Sequence, residues 1–119
     1  MTDFFAGMQV APGQAVTELT IKATAATLIQ YMDLAKQREA WRARIEHVRS
    51  SFEKYGRTEE VVLEDRRLRT DLARFAIEKL AAAGDSAAIL ALFKDYNAGS
   101  HDYLGKVIEV IALTYQQEA

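Results

Sequence analysis

No cysteine occurs in the 119 residues, which excludes disulfide scaffolds, thiolate metal sites and thiol nucleophiles. Proline occurs once, at Pro12, and glycine only six times, so helices can run far between breakers. There are two histidines, His47 and His101. Neither has a second ligand at His-x3-His or Glu-x-x-His spacing, and no metal site is predicted. Glycine-rich phosphate loops, nucleophile elbows and dinucleotide fingerprints are missing as well, so no cofactor is expected. Two carboxylate pairs, Glu59-Glu60 and Glu64-Asp65, have local explanations. The first sits where a helix N-terminus favours negative charge, and the second is answered by Arg66, Arg67 and Arg69. No catalytic residue is assigned, and the chain reads as non-enzymatic.

No run approaches the ~20 apolar residues of a membrane span. The N-terminus lacks the basic segment and apolar core of a secretory signal, so a cytoplasmic location is expected. Charge of either sign is nearly balanced, 15 Lys and Arg against 17 Asp and Glu, so no global field draws the chain to nucleic acid or acidic lipid. Half of the residues are hydrophobic, too many for a disordered chain. A chain of this length forms one domain and buries roughly two-thirds of its unfolded surface.

What is present is dominated by one stretch, Gln14 to Tyr55, bounded by Pro12-Gly13 and Gly56 and free of other breakers. It predicts one long helix or two stacked ones. At 100° per residue one apolar stripe runs its length: Leu19, Ala23, Leu34, Trp41, Ile45, Val48, Phe52 and Tyr55. The first half carries a second stripe on nearly the opposite side, formed by Ile21, Ala25, Leu28, Met32 and Ala35. A helix apolar on two sides must be covered on two sides. The expectation is that later helices cover one and a second subunit the other, which makes Ile21, Ala25, Leu28, Met32 and Ala35 the predicted dimer or partner interface. A continuous helix here would span about 60 Å, long for such a domain. The cluster Thr17, Thr20, Ile21, Thr24 and Thr27 is the expected weak point.

Before this stretch, Met1 to Gly13 form an apolar arm with Phe4, Phe5, Met8 and Val10. Such an arm is expected to dock, on the domain's own core or, with Phe4 and Phe5 as anchors, on a second subunit or in a partner's groove, with a disordered arm as the remaining alternative. Residues 14–119 are predicted to be a single helical domain. After Gly56, Thr58 is a predicted N-cap for a helix to about Ala83, burying Val61, Leu68, Leu72, Phe75, Ala76 and Leu80. Gly84 ends it and Asp85 or Ser86 caps a short helix to about Asn97, predicted to bury Ile89, Leu90, Phe93 and Tyr96. Gly99-Ser100 repeats the stop signal, and a last helix from about His101 to Gln117 buries Leu104, Val107, Ile108, Ile111 and Tyr115. The sum is an all-α, four-helix bundle-like domain with one long first helix, broken or not, and three shorter ones.

Function is read from the surplus. Residues 36–57 hold seven Lys or Arg against three Glu, so Arg38, Arg42 and Arg49 are candidate contacts for a polyanion or a partner. Glutamates are interleaved, in pairs such as Arg42–Glu46, Glu46–Arg49 and Arg49–Glu53, each worth only about 0.2–0.5 kcal/mol. Arg42 and His47 enclose four residues, a spacing similar to the loose Arg-x4-6-His pattern of HEPN-type ribonucleases, small dimerising helical bundles. That resemblance would give the arginine phosphate charge and the histidine proton transfer. It covers these two positions alone, has Ala43 where a polar residue follows the arginine, and sits in an early helix whereas the family usually carries it late. The expectation is therefore a homodimeric, non-enzymatic regulator or adaptor that binds another protein, with no membrane contact. A small nucleic-acid-binding regulator using the 36–57 stripe is second, and a HEPN-like ribonuclease third.

Overall fold

The structure, a computed structural model, describes residues 18–118. The arm with Phe4 and Phe5, and the first residues of the long stretch, lie outside them. Five α-helices succeed one another: α1 (Glu18–Tyr31), α2 (Ala35–Tyr55), α3 (Glu59–Ala83), α4 (Ser86–Ala98) and α5 (Asp102–Glu118), with no strand among the described residues. The all-α expectation holds. The count differs because the long stretch is two helices.

The break falls at Met32–Leu34, not in the threonine-rich segment. Thr24 and Thr27 sit inside α1, each hydroxyl donating to the carbonyl four residues earlier (2.8 and 3.0 Å), an internal bond that a helix tolerates. Leu34 is the N-cap of α2, extended at φ −76 and ψ 124, and makes no side-chain capping bond. Nothing in Met-Asp-Leu announces a break.

The two-sided stripe pattern is the trace of this break. In α1 the second stripe points inward, with Ile21 6% exposed and Ala25, Leu28 and Met32 at 0%, while Leu19 and Leu34 of the first stripe are exposed. In α2 the first stripe points inward, with Ile45 and Val48 buried and Trp41 and Phe52 packed against the core. Ile21, Ala25, Leu28 and Met32 are thus core residues of their own chain, a correction to their outward placement. Ala35 is exposed on the first turn of α2. Each half buries one stripe because the turn reorients the helix, and Leu19 and Leu34 on the other stripe stay in solvent.

Helices α1, α2 and α4 each pack against both α3 and α5, around one continuous core. The break is held from α5. The buried Tyr115 hydroxyl donates to Met32 Sδ (3.3 Å), and the Arg38 and Arg42 guanidinium groups lie 5.4 and 5.9 Å from the centre of its ring.

The later boundaries agree with their signals. Thr58 caps α3, accepting from the Val61 N–H (3.2 Å), and Asp85 caps α4, accepting from the Ala88 N–H (3.2 Å). Gly84 ends α3 at φ 72 and ψ 21, a left-handed conformation that glycine adopts without strain. The face of α4 departs from expectation. Ala88, Ala91, Leu92 and Asp95 are buried, whereas Leu90 is 36% and Phe93 47% exposed. This rotation brings the Asp95 carboxylate to the start of α5.

Candidate functional site

Asp95 is one of the few polar residues in the interior, 6% exposed. It accepts from the Ser100 hydroxyl (2.6 Å) and from the Leu104 N–H (3.2 Å), and the backbone N–H groups of Tyr103 and Asp102 add to the set. A carboxylate from the last turn of α4 therefore caps α5. Burial pushes its pKa up, but Ser100 and the backbone donors outweigh that, and the net value lies below the ordinary one. His101, predicted at the helix start, is not the capping group. It sits in the left-handed region at φ 54, alone in this among the described non-glycine residues. Histidine is tolerated there better than most residues.

Beside this corner lies a cleft of about 600 Å³ between α3, the α2–α3 turn and the α4–α5 turn. Arg57, Arg66 and Arg69 line one side, and Tyr96, Ser100 and His101 the other, with Phe52 and Val62 as apolar wall. Arg69 is fixed: its Nε donates to Asp65 (2.8 Å) and one terminal nitrogen to the His101 carbonyl (2.8 Å). Its guanidinium lies against the backbone of α5 at Gly105, where a Cβ would come within 2.8 Å of it. Glycine inside a helix costs about 1 kcal/mol relative to alanine, and here it admits the arginine. Arg57 stacks over Phe52 (5.7 Å). Neither Arg57 nor Arg66 forms an ion pair with a described carboxylate. The His101 ring meets Tyr96 edge-on at 5.1 Å, and its buried Nδ1 has no hydrogen-bond partner. Burial, and after it the charge of Asp95, raises the Tyr96 pKa, and Arg74 opposes the shift.

The sequence-predicted basic residues are placed differently. Arg38 bridges Asp33 (2.8 Å) and Glu118, and Arg42 donates to the Tyr115 carbonyl (3.3 Å). Together they bring positive charge to the C-terminal end of α5, whose last turn has no basic residue of its own, where the helix dipole favours it. Arg44 pairs with Asp71 of α3 (2.9 Å). Arg49 lies between Glu46 (3.9 Å) and Glu53 (3.7 Å) on its own helix. His47 faces Glu64 (3.1 Å) on α3, so Arg42 and His47 turn to different helices and share no cleft. The structure brings together Arg57, Arg66 and Arg69 instead. Two signals point to that corner: a glycine inside a helical pattern, at Gly105, and an acid in the last turn of a helix, at Asp95, where its own dipole disfavours it.

No helix among the described residues is long and apolar enough to cross a membrane, and none of their His, Asp and Glu side chains gather into a group that could hold a metal ion. No protein-family model matches the chain, and comparison with curated proteins and with solved structures gave no match.

Proposed function

We propose that the protein is a non-catalytic binding module, a homodimeric regulator or adaptor that engages another protein. The observation that supports this reading is the outer face of α4. Leu90 and Phe93 stand one turn apart on it with 36% and 47% of their surface in water. The inner face of the same helix is already filled by Ala88, Ala91 and Leu92, so nothing within the described chain calls for these two side chains. Neighbouring apolar groups left in solvent are characteristic of contact surfaces, and aromatic residues are enriched at interface centres. A two-fold contact would use the same patch on both copies. The α4 face thereby takes the role expected of Ile21, Leu28 and Met32. The nucleic-acid reading of residues 36–57 draws less support, because Arg38, Arg42, Arg44 and Arg49 already hold carboxylates or the end of α5.

The test is the mass in solution by light scattering coupled to size exclusion. The wild type is expected at twice the chain mass, and the double substitution Leu90→Glu with Phe93→Glu at the mass of one chain with unchanged helix content. A wild type that stays monomeric at high concentration defeats the homodimer. A double variant that remains dimeric moves the interface off α4.

A further inference from the structure

We propose that the cleft between α3 and the α4–α5 turn binds the phosphate group of a small molecule. Its volume, about 600 Å³, falls within the roughly 300–1,000 Å³ of small-ligand sites. Three arginines line it from two segments, Arg57 from the turn and Arg66 and Arg69 from α3. Asp65 answers Arg69 at 2.8 Å, so the two uncommitted charges are those of Arg57 and Arg66, which match a phosphate dianion better than a carboxylate, for which one bidentate arginine suffices. Asp102, also in the lining, leaves a net charge of one positive unit (three arginines against two aspartates) and places the anion toward Arg57 and Arg66.

The site does not depend on the N-terminus of α5, because Asp95 already occupies those backbone donors. It rests on the cleft, its cations and the cost of the groups that border it. Arg69 lies where a Cβ at position 105 would come within 2.8 Å of its terminal nitrogen. His101 keeps a side chain at a left-handed φ of 54, where glycine would sit without strain, and carries a buried nitrogen with no partner. An uncommon backbone conformation and an unpaired buried nitrogen on the rim of one concavity point to a functional site. Tyr96, Phe52 and Val62 add an apolar wall against which the organic part of a phosphate ester can lie.

Calorimetric titration with adenosine monophosphate and, separately, with inorganic phosphate tests the site. Saturable binding is expected, weakened about tenfold or more by Arg57→Gln or Arg66→Gln, the loss expected for one charge-assisted contact. Both residues are exposed, so helix content and unfolding temperature are expected to stay at wild-type values. Tighter binding of the ester than of phosphate shows that the apolar wall contributes, and equal binding shows that the anion alone is read. Arg67, which faces the groove between α2 and α3, is the control: Arg67→Gln leaves the affinity unchanged. No binding of either probe at millimolar concentration overturns the proposal. So does an Arg67→Gln loss equal to that of Arg66→Gln, which would mark generic attraction to a basic surface.

Discussion

Asp95 joins two helices through one buried carboxylate. Its folded pKa lies below the ordinary aspartate value because Ser100 and three backbone N–H groups stabilise the anion beyond the burial cost. A lowered pKa means that the unfolded chain binds the proton more tightly, so the stabilisation is present above the unfolded pKa of about 3.9 and is lost as pH falls through the folded value. Asp95→Asn is therefore expected to cost about 1–3 kcal/mol at neutral pH. Denaturant unfolding across a pH series should show the gap between variant and wild type closing in acid. A gap that persists unchanged where the wild-type carboxyl is protonated would mean that packing, and not the anion, is what Asp95 supplies. Tyr103 titrates at the opposite end. Burial raises it to about 12, and its hydroxyl meets Thr24 Oγ1 at 2.6 Å while that hydroxyl donates to the Thr20 carbonyl. The Thr24 proton is thus committed, and Tyr103 is the donor.

Among the elements, the division of the long stretch into α1 and α2 is the feature with most consequence. Leu34 lies at φ −76 and ψ 124, the extended conformation that a residue before proline requires. Ala35 is then the first helical position of α2, where proline is tolerated because that N–H has no partner within the helix. Ala35→Pro is expected to leave the unfolding temperature unchanged or slightly raised. In a continuous helix the same substitution would cost about 3 kcal/mol or more, so thermal unfolding distinguishes two helices from one. The second stripe stops at Ala35 while the first runs on through Trp41, so hydrophobic phase marked a change near the break without fixing its residue. Breaker residues could not fix it either, since Met32, Asp33 and Leu34 include neither glycine nor proline and the cap makes no side-chain bond. The other three boundaries were legible because Gly56, Gly84 and Gly99 stand at positive φ, while Thr58 and Asp85 cap α3 and α4.

For the whole molecule, the question is which apolar surface belongs to the core and which to other molecules. Leu28 is fully buried within its own chain, so Leu28→Ala is expected to cost about 2–5 kcal/mol in stability with no change in the mass of the folded protein. A lowered mass at unchanged stability would return this residue to an interface. Leu90 and Phe93 carry the opposite expectation, a change of mass without loss of fold.

The helical class, the extents of α3, α4 and α5, and the inward faces of α3 and α5 were all legible in the residues alone, because each rests on local rules: a period of 3.6 residues, a capping side chain, a glycine at positive φ. Arg69 opposite Asp65, four residues away on the same helix, belongs with them. Tertiary packing was needed to decide which stripe of α1 is core, which way α4 turns and where the arginines converge. Those choices depend on groups distant in the chain: Tyr115 reaching Met32, Asp95 reaching the start of α5, and Arg69 lying across Gly105. A helix with apolar residues on two sides has no local preference between them, and packing against α3 and α5 makes the selection.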